Sequence, residues 1–145
     1  MKPKLLIFAI LISILLTACS SSESLPAAGD VIGQKVSVQG GTYTDISVSE
    51  LQTMLENKDF TFVNVHIPFE GDLPNTDLSI PYDEIDQNLD KLPSDKDSKI
   101  VLYCRSGNMS STAAETLVSL GYTNVWNLDG GFNAWEQAGL PMEGQ

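Results

Sequence analysis

The sequence predicts a single α/β domain: a central parallel sheet flanked by helices on both faces. Three observations carry this expectation. Short apolar runs rich in β-branched and aromatic residues alternate with segments of helical periodicity, the pattern of a parallel sheet covered by helices. The chain is 145 residues long, the size of one domain. Its 42% hydrophobic and 19% charged residues are those of a chain with enough apolar material for a packed core.

In chain order, Met1 to Ala18 reads as a secretory signal. Lys2 and Lys4 provide a positive start, and Leu5 to Leu16 is apolar except for Ser13. That stretch is shorter than the roughly 20 apolar residues a membrane span needs. Leu16-Thr17-Ala18-Cys19 resembles a bacterial lipoprotein signal. The resemblance implies cleavage before Cys19, lipid attachment to Cys19 and an extracytoplasmic, membrane-anchored protein. Two or more acyl chains anchor stably where one binds marginally. Cleavage would remove Lys2 and Lys4 and move the formal charge from −11 to −13. Anionic headgroups repel such a surface, so lipid rather than charge would hold it. Residues 19–34, rich in Ser, Ala and Gly, read as a flexible tether, and 35–145 as the folded domain.

Within the domain, Lys35 to Val38 is a weak strand candidate. Ser47-Val48-Ser49-Glu50 has the form of a capping box, followed by Val48, Leu51, Met54 and Leu55 at helical spacing. Phe60 to Val65 reads as a buried strand. Asp83 to Leu92 reads as a short helix stopped by Pro93, with Ile85, Leu89 and Leu92 on one face. Ile100 to Tyr103 is the next strand. Ser110 to Leu120 is a helix ended by Gly121. Val125 to Leu128 is a strand, and Phe132 to Ala138 a last short helix before Gly139 and Pro141.

Ligands of parallel sheets bind where strand ends lead into helix N-termini. That rule singles out Cys104-Arg105-Ser106-Gly107-Asn108-Met109-Ser110. Successive backbone amides in such a turn, together with the positive end of a helix, stabilise negative charge on a sulfur. Gly107 permits backbone angles other residues resist. Ser106, Ser110 and Ser111 offer further donors, and Arg105, the sole arginine, suits a small oxyanion. Cys104 is therefore the candidate nucleophile. Arg105, Ser106, Gly107, Asn108, Met109 and Ser110 are candidate substrate-binding residues.

This loop resembles the active-site loop of the rhodanese-like sulfurtransferases. So do Asn124-Val125-Trp126-Asn127-Leu128-Asp129-Gly130-Gly131-Phe132-Asn133-Ala134-Trp135 and the opening Ile46-Ser47-Val48-Ser49-Glu50-Leu51. The resemblance implies sulfur transfer through a persulfide on Cys104. The donor would be a small sulfur-containing anion such as thiosulfate. The acceptor would be a thiol, cyanide or a protein. No metal or organic cofactor is needed, and a monomer is expected. The alternative is a rhodanese-fold binding module in which Cys104 carries or senses sulfur, or is idle.

The sequence departs from that family in two places. The family's Asp-x-Arg pair is replaced by Asn64-Val65-His66, so that charge pair cannot form, and His66 reads as structural rather than as a base for Cys104. The segment from Glu70 to Pro81 keeps only Gly71, Pro74 and Ile80-Pro81 of the family outline. Glu70, Asp72 and Asp77 read as a solvated acidic loop; facing the pocket, they would oppose an anionic donor.

Other chemistries lack their residues. An excess of 19 acidic over 8 basic side chains argues against nucleic acid. One histidine and two distant cysteines give no zinc spacing. The acidic run at Asp83, Glu84, Asp86 and Asp90 lacks calcium-loop spacing. Phosphatases of this fold need an arginine six residues after the cysteine, where this chain has Ser110. A dithiol oxidoreductase needs a second cysteine where this chain has Gly107. Trp126 and Trp135 read as core or pocket-wall aromatics.

Overall fold

The computed structural model describes residues 33–144. The signal segment, Cys19 and nearly all of the expected tether lie outside the described residues. Six strands form one sheet: β1 (Gln34–Val38), β2 (Gly41–Ile46), β3 (Thr61–Asn64), β4 (Leu78–Ser79), β5 (Ile100–Tyr103) and β6 (Val125–Leu128). Their order is β1-β2-β6-β5-β3-β4. All neighbouring pairs are parallel except β1 with β2, an antiparallel hairpin in which Gln34 faces Asp45 and Val38 faces Gly41. The helices are α1 (Val48–Glu56), α2 (Asn108–Ser119) and α3 (Gly131–Gln137).

The side-chain alternation of the strands builds the two faces. Ile100 and Leu102 of β5 point into a cluster with Ala113, Ala114, Leu117 and Val118 of α2. Val101 and Tyr103 point the other way, into a cluster with Leu51 and Met54 of α1 and Phe132 and Trp135 of α3. All four residues of β5 are buried, as a central strand with both faces covered requires. Helices on both faces of a mostly parallel sheet are thus the observed architecture.

The capping box predicted before α1 forms. The Glu50 amide donates to Ser47 Oγ, and the Ser47 amide donates to Glu50 Oε2 at 2.8 Å.

Three expectations are corrected. Asp83 to Leu92 is not one helix but two 3₁₀ turns, Ile85–Gln87 and Leu89–Lys91. Asn88 supplies the reason: its side-chain amide donates to the Glu84 carbonyl at 2.8 Å, the acceptor an α-helix would have given to the Asn88 backbone. Strand β2 and the two-residue strand β4 were not anticipated. β2 reads Gly-Thr-Tyr-Thr-Asp-Ile, too polar to stand out as an apolar run, although the Gln39-Gly40 hairpin turn before it carries a glycine at φ +97°. The helix after Cys104 begins at Asn108, earlier than Ser110, and the last helix begins at Gly131.

Tyr103 ties the sheet to the long segment between β3 and β5. Its hydroxyl accepts the Leu73 amide at 2.9 Å, lies 2.8 Å from Thr76 Oγ1, and donates to Asp72 Oδ1 at 3.2 Å. Burial pushes the phenol far above its ordinary range, so it stays protonated and able to donate. Asp72 also exchanges two backbone hydrogen bonds with Glu143, which fastens the C-terminal segment to this loop. Tyr103→Phe removes the acceptor for a buried amide, and a denaturant titration should show a loss of about 1–3 kcal/mol.

Candidate active site

The carboxyl ends of the parallel strands all point to one end of the sheet, so the turns after β2, β3, β5 and β6 gather there. Cys104 follows β5 directly, between β6 and β3 in the sheet order. Its side chain is buried. The Sγ atom accepts the Gly107 amide at 3.1 Å. The Ser110 hydroxyl, fully buried, lies 3.4 Å from the same sulfur and 3.1 Å from the Gly107 carbonyl. It has one proton to share between them, and negative charge on the sulfur would draw it.

Gly107 caps α2 with φ +94°, a left-handed angle that aims its amide back at the sulfur. The turn after β6 holds the loop from the other side. The amides of Phe132 and Asn133, in the first turn of α3, donate to the carbonyls of Cys104 and Arg105, each at 3.0 Å. This explains the double glycine. Gly131 has φ +55°, and a Cβ on it would lie 2.1 Å from the Cys104 carbonyl oxygen.

The expected binding residues divide. Gly107 and Ser110 face the sulfur. Ser106 and Asn108 are exposed and make no hydrogen bond to it. Met109 packs against the core on the α2 face. Ser111 turns to the Asn108 carbonyl at 2.8 Å. Arg105 reaches sideways, its Nη1 3.3 Å from Glu70 Oε1.

The acidic segment is exposed at Glu70 and Asp77, as expected of a solvated loop, and its carboxylates are also paired. Asp77 pairs with Lys58 at 2.5 Å and accepts the Phe62 amide. Asp72 accepts from Asn64 and Tyr103. Glu70 alone of the three turns to the site. Its second oxygen lies 2.9 Å from His66 Nε2. His66 therefore serves Glu70, stacked edge-on against Phe132, and makes no hydrogen bond to Cys104. Asn64, where the family has an acid, donates to the Gly71 carbonyl and Asp72 and accepts the His66 amide. Hydrogen bonds from a neutral amide, one of them to the Asp72 carboxylate, thus take the place of an Asp–Arg charge pair.

A pocket of about 480 Å³ opens beside the loop. Phe69, Glu70, Arg105, Phe132, Asn133 and Glu136 are among its walls. Phe69 and Glu136 carry no sequence signal for this position, whereas Glu70 belongs to the acidic segment already flagged as able to oppose an anionic donor, and Asn133 to the segment after β6. Among the described residues, no three His, Cys, Asp or Glu side chains are grouped to hold a metal ion.

Comparison with known proteins adds an independent line. The profile of the rhodanese-like domain matches residues 47–138. A sulfurtransferase of Allochromatium vinosum is 36% identical over 99 residues, covering 66% of this chain and 90% of that protein. The thiosulfate sulfurtransferase GlpE of Vibrio cholerae is 30% identical over 103 residues, covering 70% of this chain and 95% of that protein. The crystal structure of a rhodanese-related protein from Thermoplasma volcanium superposes with a TM-score of 0.58 at 30% identity, over 68% of this chain and 95% of its own.

Gly131→Ala should displace the Cys104 carbonyl and the turn it belongs to. The expected result is a stability loss of about 3 kcal/mol or more by denaturant titration, larger than for Gly139→Ala, where the added methyl meets nothing within 4 Å.

Proposed function

The chain belongs to the rhodanese-like domain family, and on that footing we propose that it is a sulfurtransferase working through a persulfide on Cys104. One observation carries the reading. The sole cysteine among the described residues sits at the carboxyl end of the central strand, with an amide donor on its sulfur at the start of α2.

The chemistry divides into two displacements. The Cys104 thiolate attacks the outer sulfur of a donor such as thiosulfate. A new S–S bond forms, the donor's own S–S bond breaks, and sulfite leaves with its electron pair. A thiophilic acceptor then attacks the outer sulfur of the persulfide. That S–S bond breaks, the acceptor keeps the sulfur, and the Cys104 thiolate returns. The Gly107 amide and the Ser110 hydroxyl stabilise the charged sulfur at both stages, as fixed dipoles already in place. Arg105 serves the donor from the pocket side of the loop.

The residues before Gly33 complete the proposal. Lipid on Cys19 would anchor the protein outside the cytoplasm, with the folded domain at the end of a Ser-rich connection. The supports are the charged start, the apolar stretch and the Leu16-Thr17-Ala18-Cys19 ending.

Incubation with thiosulfate should add the mass of one sulfur atom to Cys104, and cyanide should release it as thiocyanate. Cys104→Ser should abolish both. Ser110→Ala removes one of two donors to the sulfur and should lower turnover by about tenfold, with the fold unchanged by circular dichroism. A persulfide that no acceptor discharges would favour the sulfur-carrier alternative. Cys19→Ser should release the protein from the membrane fraction or block its processing; a membrane-bound product that still begins at Met1 would exclude the anchor.

A further inference from the structure

We infer that Glu70 is a specificity-determining residue, biasing the pocket toward neutral or cationic sulfur substrates and against small dianions. The inference rests on the proposed role of Cys104 and adds a substrate class to it. Among the described residues, Arg105 is the only cationic side chain lining the pocket, and Glu70 engages it at 3.3 Å. Glu136 contributes a second carboxylate to the same walls. The guanidinium is therefore already paired with a carboxylate, so a dianion entering the pocket competes with Glu70 for it.

Glu70 is held by both oxygens. One meets Arg105 and the other His66, whose side chain is only 7% exposed and packed against Phe132. The Glu70 side chain remains 37% exposed at the pocket wall. Asp72 and Asp77 spend their charge on Asn64, Tyr103 and Lys58, so the acidic segment acts on the pocket through Glu70. The remaining walls include Phe69, 56% exposed, and Phe132. Together these surfaces suit a thiol or persulfide with an apolar body and an uncharged or cationic group.

Two alkylating reagents of nearly equal size test this on the full chain. Iodoacetamide is neutral and iodoacetate is an anion. Their rates at Cys104, located by peptide mass so that Cys19 is counted separately, read the local field without requiring any sulfur transfer. Glu70→Gln should raise the iodoacetate rate relative to iodoacetamide by about threefold to tenfold at low ionic strength, with the gain shrinking at high salt. Glu70→Asp, which keeps the charge, should retain the wild-type ratio. In the thiosulfate reaction, Glu70→Gln should lower KM by a similar factor while kcat stays within about twofold. An unchanged reagent ratio in Glu70→Gln, a salt-independent change, or a Cys104 that neither reagent reaches would overturn the inference. If thiosulfate forms no persulfide in either protein, the sulfurtransferase reading fails, and the reagent ratio still decides the role of Glu70.

Discussion

The site depends on the contact between two turns, the one after β5 and the one after β6. Carbonyls of Cys104 and Arg105 accept the first amides of α3, and Gly131 brings the two backbones close enough for this. The contact satisfies donors that the start of a helix would otherwise leave to water. It also fixes the path of the loop, so that the Gly107 amide, rather than a solvent molecule, meets the sulfur. Rigid placement of a donor is what makes it effective toward developing charge, because nothing must reorganise as that charge appears.

A second constraint works from the opposite side. Tyr103 precedes the nucleophile and sends its phenol into the segment that replaces the usual family loop. Asn64 at the end of β3 and Asp72 within the segment complete that network. The loss of the family's charge pair therefore does not leave the region loose. An Asp–Arg charge pair and a network of hydrogen bonds built on Asn64, Asp72 and Tyr103 can hold the same backbone, but they leave different fields behind. Here the field near the mouth is set by Glu70, with His66 as its support.

Much of this was legible in the sequence because local and global signals agree there. The capping box at Ser47, the apolar run Ile100 to Tyr103 and the glycines near Cys104 each have a local cause that the fold preserves. What was not legible depended on partners distant in sequence. Asn88 competes with its own helix through one side-chain bond. β2 holds strand-favouring Thr, Tyr and Ile but no apolar run, and its pairing with β1 and β6 is what shows it to be a strand. Glu70 meets Arg105 across 35 positions of sequence, and no local pattern announces that pairing. The role of Glu70 thus belongs to the topology, which sets the turn after β3 beside the turn after β5.

The antiparallel hairpin at the edge of the sheet has a consequence of its own. Because β1 runs opposite to β2, Gln34 lies beside Asp45, at the end where β2 finishes and the reactive turns gather. The polypeptide enters the domain on the same side as its sulfur, three strand positions away, or roughly 15 Å at ordinary strand spacing. A parallel first strand would have put the entrance at the far end. The first residues of the folded domain therefore lie at its working end rather than at its back.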